Sequence, residues 1–245
     1  MTLKTALTFD QSVLTRFAVF DCPEYPVSHT SSQQLTIFPQ PSHVKPDSVP
    51  GTVCTEVRFI KCCFLLIEQF REAERMDIQG CYVPSNGVLD LTKMTSLQHL
   101  CLQNSQTVQH VKIAEENKVL YLNLGYCHGL LTQPSTPLAT FVNLTETRIQ
   151  HVNFRGYLQL VHATLRNMNF LKQIDLRDTP HLAYIRVNNP CKIIHDADMT
   201  VEINEHGDYV LSRSNGRRLS IHKDVGYKPV ITLVSIDQGK EVLTL

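Results

Sequence analysis

Tryptophan is absent from the 245-residue chain, and glycine is scarce at 10 residues. Few glycines count against a nucleotide enzyme, whose phosphate-cradling loops need backbone positions that glycine alone fills without strain. Neither G-x-G-x-x-G nor G-x4-G-K-S/T occurs, and G-x-S-x-G and H-E-x-x-H are missing too. No sign of charge predominates, because 23 Lys and Arg balance 23 Asp and Glu. A neutral chain sets up no general field for DNA, RNA or anionic lipid, so no nucleic-acid partner is expected. No apolar run approaches the roughly 20 residues that cross a bilayer, so no membrane span is expected. The opening MTLKTALTFDQSVLTRF lacks a continuous apolar stretch and a small-residue cleavage site, which leads to the expectation of a cytoplasmic protein. What the chain does have is 42% apolar residues, too many for disorder.

The eight cysteines, at 22, 54, 62, 63, 81, 101, 127 and 191, show no C-x2-C or C-x4-C spacing. Reduced thiols packed as small hydrophobes are therefore expected rather than a zinc site. Among 11 histidines, Gln-His recurs at 98–99, 109–110 and 150–151, each time in an outward slot, and no metal ligands are assigned. No catalytic or cofactor-binding residue is assigned either. The alternative enzyme reading, a Cys-dependent hydrolase or transferase, rests on Cys127 beside His128, or on Cys54, Cys62 or Cys63.

An internal repeat organises the chain. The pattern apolar-x-x-apolar-x-apolar appears weakly over 75–78 and then at Leu97-Gln-His-Leu-Cys-Leu102, Val108-Gln-His-Val-Lys-Ile113 and Val119-Leu-Tyr-Leu-Asn-Leu124. After an interval of 19 it returns with starts at 138, 149, 160, 171 and 182, every 11 residues. Alternation inside each unit, as in Ile174-Asp-Leu176, is the period-2 signature of a strand with one buried face. Eleven residues hold a short strand and a turn but no helix, so two units make one coil of about 22 residues. Coils of this kind bury their apolar side chains only against neighbouring coils and need caps at both ends.

The stretches Leu171-Lys-Gln-Ile-Asp-Leu-Arg-Asp-Thr-Pro-His-Leu182 and Val119-Leu-Tyr-Leu-Asn-Leu-Gly-Tyr-Cys127 resemble leucine-rich repeats. The resemblance covers about residues 75–203. It departs from the family in lacking a regular Asn ladder, since the equivalent positions are Ser105, Cys127, Tyr157 and Thr179. In style the irregular repeats resemble the leucine-rich-repeat effectors that intracellular bacteria such as Legionella deliver into a host cytosol without a cleaved signal peptide. The C-x-D motif of the ubiquitin-ligase effectors is missing. The expected fold is mainly β with some α: a leucine-rich-repeat solenoid with two short strands per coil over 75–198. An N-terminal arm and capping helix over 1–74 and a β-rich C-terminal cap over 199–245 flank it.

Six prolines between 21 and 51 forbid a helix there and leave room for a short strand at Gln34–Phe38. From Thr52 to about Arg75, Val57, Ile60, Phe64, Ile67 and Phe70 recur at three and four, which predicts an amphipathic capping helix. Beyond Pro190, alternating runs at 200–203, 208–211, 218–221, 230–234 and 241–245 separated by glycine-containing turns predict antiparallel hairpins.

The turn-rich string Leu131-Thr-Gln-Pro-Ser-Thr-Pro137 accounts for the long interval. Taken as a loop between a front and a back strand, it places the strands starting at 97, 119, 149 and 171 on one side, which is the preferred register. The competing register makes the interval a short coil and groups 97, 119, 138, 160 and 182. On the preferred register His99, Tyr121, Asn123, His151, Asn153, Arg155, Asp175 and Arg177 form one outward partner-binding face. The expected function is a non-enzymatic protein-binding module. If the effector resemblance holds, it occupies or inhibits a host protein or a bacterial enzyme. An obligate subunit of a complex is a further alternative.

Overall fold

The computed structural model describes residues 17–21, 34–37, 56–60, 71–80, 83, 86–224, 229–237 and 240–244. The strands begin with Phe17–Asp21 (β1), Gln34–Ile37 (β2) and Glu56–Ile60 (β3). Arg75–Gln79 (β4), Val88–Leu91 (β5), His99–Gln103 (β6), His110–Ile113 (β7) and Tyr121–Asn123 (β8) follow. Next come Phe141–Asn143 (β9), His151–Asn153 (β10), His162–Leu165 (β11), Gln173–Asp175 (β12), Tyr184–Val187 (β13) and Cys191–His195 (β14). Thr200–Ile203 (β15), Tyr209–Ser212 (β16), Arg218–His222 (β17), Ile231–Asp237 (β18) and Lys240–Leu243 (β19) end the order.

These strands build a β-solenoid of about five turns. Its front sheet runs β15-β16-β17-β13-β11-β9-β8-β6-β4-β3-β1-β2 among the described residues. The back carries two pieces, β5-β7 and β10-β12-β14-β18-β19. Front pairing is parallel and in line, with Arg75 opposite His99, then Tyr121, Phe141, His162 and Tyr184. The C-terminal hairpins are antiparallel as their turns predict, and β17 and β18 extend the two sheets by pairing parallel to β13 and β14.

The eleven-residue unit has a physical basis at each corner. Its first apolar residue closes a turn, as where the Leu130 N–H donates to the Cys127 carbonyl at 2.9 Å and Leu171 to Met168 at 2.9 Å. Just ahead of that turn the backbone passes through positive φ, at Asn104, Tyr126, Glu146, Asn167 and Asp178 with φ between 54° and 64°. Gly80 and Gly156 hold the same slot without strain. The next residue, Ser105, Cys127, Thr147, Tyr157, Met168 or Thr179, is then buried. In place of a regular Asn ladder at this slot, Thr147 and Thr179 donate their hydroxyls to the carbonyls of Leu144 and Leu176, and the Cys127 thiol to that of Leu102.

The core is a set of columns running through the coils. Met76, Leu100, Leu122, Val142, Ala163 and Ile185 stack in register on the inner side of the front sheet, all at 0% exposure. Each larger member contributes about 1.5–3 kcal/mol by leaving water. Leu102, Leu124, Val152, Phe154, Ile174 and Leu176, expected from the alternation to face inward, are all buried as well.

Two expectations are corrected. Glu56–Ile60 is a strand, paired parallel to β1 and β4, so the helix expected from 52 to 75 does not cover these residues, and no helix occurs among the described residues. The three-and-four spacing competed there with a β-rich run, Val57-Arg-Phe-Ile60, beside an existing sheet edge. Residues 61–70 lie outside those described. The second correction is the register: 119 to 138 is one short coil. Its chain crosses the back at Leu130–Leu131, where Leu131 N–H donates to Gln109 and the Leu130 carbonyl accepts from Arg148. Pro134 and Pro137 have no N–H to give a ladder, so this crossing contains no back strand and takes fewer residues.

Candidate functional site

The outer side of the front sheet presents a column of stacked rings. His99 and Tyr121 lie 4.2 Å apart between centroids with planes 3° from parallel, and Tyr121 and Phe141 4.6 Å apart at 5°. The column continues through His162 at 5.2 Å, Tyr184 at 4.4 Å and His222 at 4.6 Å. Every ring is half-buried. The spacing follows from the fold, because parallel strands about 4.8 Å apart bring residues of the same slot to stacking distance. Since neighbouring faces cover one another, the half-buried column offers ring edges to the outside. At its start Arg75 donates to His99 Nε2 at 3.3 Å. Burial pushes the Tyr121 phenol pKa up and that of the His162 imidazole down.

A polar column runs beside the rings. Asn143 Nδ2 donates to Asn123 Oδ1 at 2.9 Å, and Asn123 Nδ2 to Cys101 Sγ at 3.6 Å. At the far end Asp224 accepts from Arg166 at 2.8 Å, from Arg186 at 2.6 Å and from Asn188 at 3.1 Å. Burial alone would raise this carboxyl's pKa, but the two guanidinium bonds outweigh it and hold it below the usual carboxylate range.

The correct register divides the eight residues that sequence reasoning grouped. His99, Tyr121 and Asn123 lie on the front, while His151 and Asn153 on β10, Asp175 on β12, and Arg155 and Arg177 just beyond those strands lie on the back. Sequence reasoning missed Phe141, His162, Tyr184 and His222, which the competing register would have gathered with Tyr121 apart from His222. Several of the selected polar residues hold the backbone, Asn123 and Asp175 while buried and Asn153 while exposed. Asn123, Asn153 and Asp175 each accept from the N–H two residues on, at 3.1, 2.9 and 3.1 Å. Asp90 and Asn143 do the same. The Asp or Asn between two inward residues was the visible signal for this Asx turn, which starts each such corner. Arg177 is drawn back onto Asp175, whose hydrogen bond pushes its pKa up, and Arg155 pairs with Asp178 at 3.1 Å.

Cys127 is fully buried, donates to a backbone carbonyl, and burial pushes its thiol up to about 11. The neighbouring His128 turns to Glu146 at 3.1 Å. The two therefore do not form a nucleophile and base. Cys54, Cys62 and Cys63 lie outside the described residues. No group of three or more His, Cys, Asp or Glu among the described residues has the arrangement of a metal site, and no helix there is long and apolar enough to cross a membrane. The chain matches no protein-family model, no curated protein and no solved structure.

Proposed function

We propose that this chain is a non-enzymatic protein-binding module that engages another protein through the front face of its solenoid. The observation that carries the proposal is the continuous column of half-buried rings from His99 to His222, flanked by Arg166 and Arg186. Tyr and Arg are the side chains most often found at the energetic centre of protein interfaces. Rings already fixed by stacking lose little conformational freedom when a partner covers them. The resemblance to leucine-rich-repeat effectors extends the proposal to a partner that is a host protein or a bacterial enzyme, occupied or inhibited in a cytosol. Fold analogy supports that extension, and it is weaker support than the ring column.

The test compares three immobilised proteins in quantitative capture from host and bacterial lysates: the native chain, a Tyr121→Ala/Tyr184→Ala form and an Arg177→Ala/Lys192→Ala form. A partner held by native protein and by the back-face form but lost from the front-face form, with all three folded by circular dichroism, supports the proposal. Equal capture by all three, or loss only from the back-face form, refutes it.

A further inference from the structure

The back sheet is interrupted where the short coil crosses, and β10 is the terminal strand of its larger piece. A groove of about 620 Å³ lies between that strand and the loop at 131–137. One side chain occupies the position of a neighbouring strand: Gln133 Nε2 donates to the Asn153 carbonyl at 3.1 Å, and the Asn153 N–H donates to Gln133 Oε1 at 2.9 Å. A primary amide that satisfies both backbone groups of one residue is the chemical equivalent of a single peptide unit of an added strand. Pro134 and Tyr157 line the groove, and the Tyr157 hydroxyl, which accepts from Gln133 and from Thr136 N–H, anchors the loop. The charged lining consists of Arg148 and Arg155, with His151 beside them and no carboxylate among the described lining residues.

We propose that this groove binds an extended acidic segment of a partner protein, which adds to the edge of β10 in place of the Gln133 amide and sets its carboxylates against Arg148 and Arg155. Edge addition supplies main-chain hydrogen bonds that do not depend on sequence, and the two guanidinium groups select for charge. Neither guanidinium is committed strongly elsewhere. Arg148 lies 5.0 Å over the Phe170 ring, a contact that leaves its N–H groups available, and the Arg155–Asp178 pair is more than half exposed at both ends. Displacing Gln133 exchanges one amide for another at Asn153 and gives up its bond to the Tyr157 hydroxyl, which Thr136 N–H still holds. The groove shares no residue with the front ring column, and the proposal stands or falls independently of the front-face function.

The test uses a fluorescein-labelled octapeptide of alternating Glu and Thr, blocked at both ends, with polarisation read at low ionic strength on the full chain. The expected result is saturable binding that a Lys-Thr octapeptide and a proline-interrupted Glu peptide do not reproduce. Arg148→Ala/Arg155→Ala should weaken it by about tenfold or more, in line with the loss of two charge-assisted contacts. Gln133→Ala should tighten it several-fold by removing the internal competitor, while Gln133→Glu, which cannot donate to Asn153 and repels the peptide, should weaken it. A merely structural Gln133 would give no tightening. No binding of the Glu peptide, equal binding of the Lys peptide, competition by free glutamate or phosphate as effective as by the peptide, or unchanged affinity in the folded Gln133→Ala protein would each overturn the proposal. So would displacement of the peptide by self-association of the chain. Tyr121→Ala/Tyr184→Ala should leave peptide binding unchanged, which keeps this outcome separate from that of the front face.

Discussion

Truncating Tyr121 probes the register and the ring column together. The side chain stacks on His99 on one side and on Phe141 on the other, at 4.2 and 4.6 Å. Each such aromatic contact contributes about 0.5–1.5 kcal/mol beyond area burial, so Tyr121→Ala should cost roughly 1–3 kcal/mol in unfolding free energy. An outward residue with no such neighbours would cost within about 0.5 kcal/mol. Tyr121→Phe keeps both stacks and should cost little. The decisive quantity is the coupling in double-mutant cycles, measured by urea denaturation followed by far-ultraviolet circular dichroism. Tyr121 and Phe141 should couple by about 1 kcal/mol, whereas Tyr121 and His151, on opposite faces, should be additive within about 0.5 kcal/mol. Coupling to His151 with none to Phe141 would refute the short-coil register and the ring column with it.

Further outcomes follow from single residues. A Cβ on Gly129 would sit 2.2 Å from the Gln106 carbonyl oxygen, so Gly129→Ala should destabilise by at least about 1–3 kcal/mol in the same denaturation assay. Because burial lowers the His162 pKa, the unfolded chain binds its proton at higher pH than the folded chain does. The His162 contribution to stability should therefore fall as pH drops through the ordinary imidazole range and level off below the lowered value, and His162→Phe should remove that component from the difference between the two pH profiles. Cys127 and Cys191, pushed up to about 11 and 12, should resist thiol reagents at neutral pH in the folded protein and react on unfolding, as read by peptide mass spectrometry.

The coil length and the inward columns were legible because burial imposes period 2 on a strand and the corner imposes 11 on the unit. Leu100, Leu122, Ile174 and their neighbours could occupy no other side. The division of faces was not legible, because it depends on how many residues a crossing without a strand consumes. Pro134 and Pro137 announced a loop there but did not say whether it stood between two faces or replaced one of them. That Asn123, Asn153 and Asp175, chosen as binding residues, also turn back onto their own backbone was hidden for a different reason. A short polar side chain on an outer face can turn back to its own backbone, and period-2 alternation does not distinguish that from projection into solvent. The strand at 56–60 was obscured because Val57 and Ile60 satisfy a helical spacing locally, while the adjacent β4 edge decides in favour of a sheet.

Hydroxyl-radical footprinting of the complex with the captured partner tests the front-face function most directly, since aromatic rings oxidise readily when solvent reaches them. Tyr121, Phe141 and Tyr184 should lose most of their oxidation on binding, while Phe170, exposed away from the ring column, should keep its own. Protection of Phe170 with Tyr121, Phe141 and Tyr184 oxidised as in the free chain would contradict it.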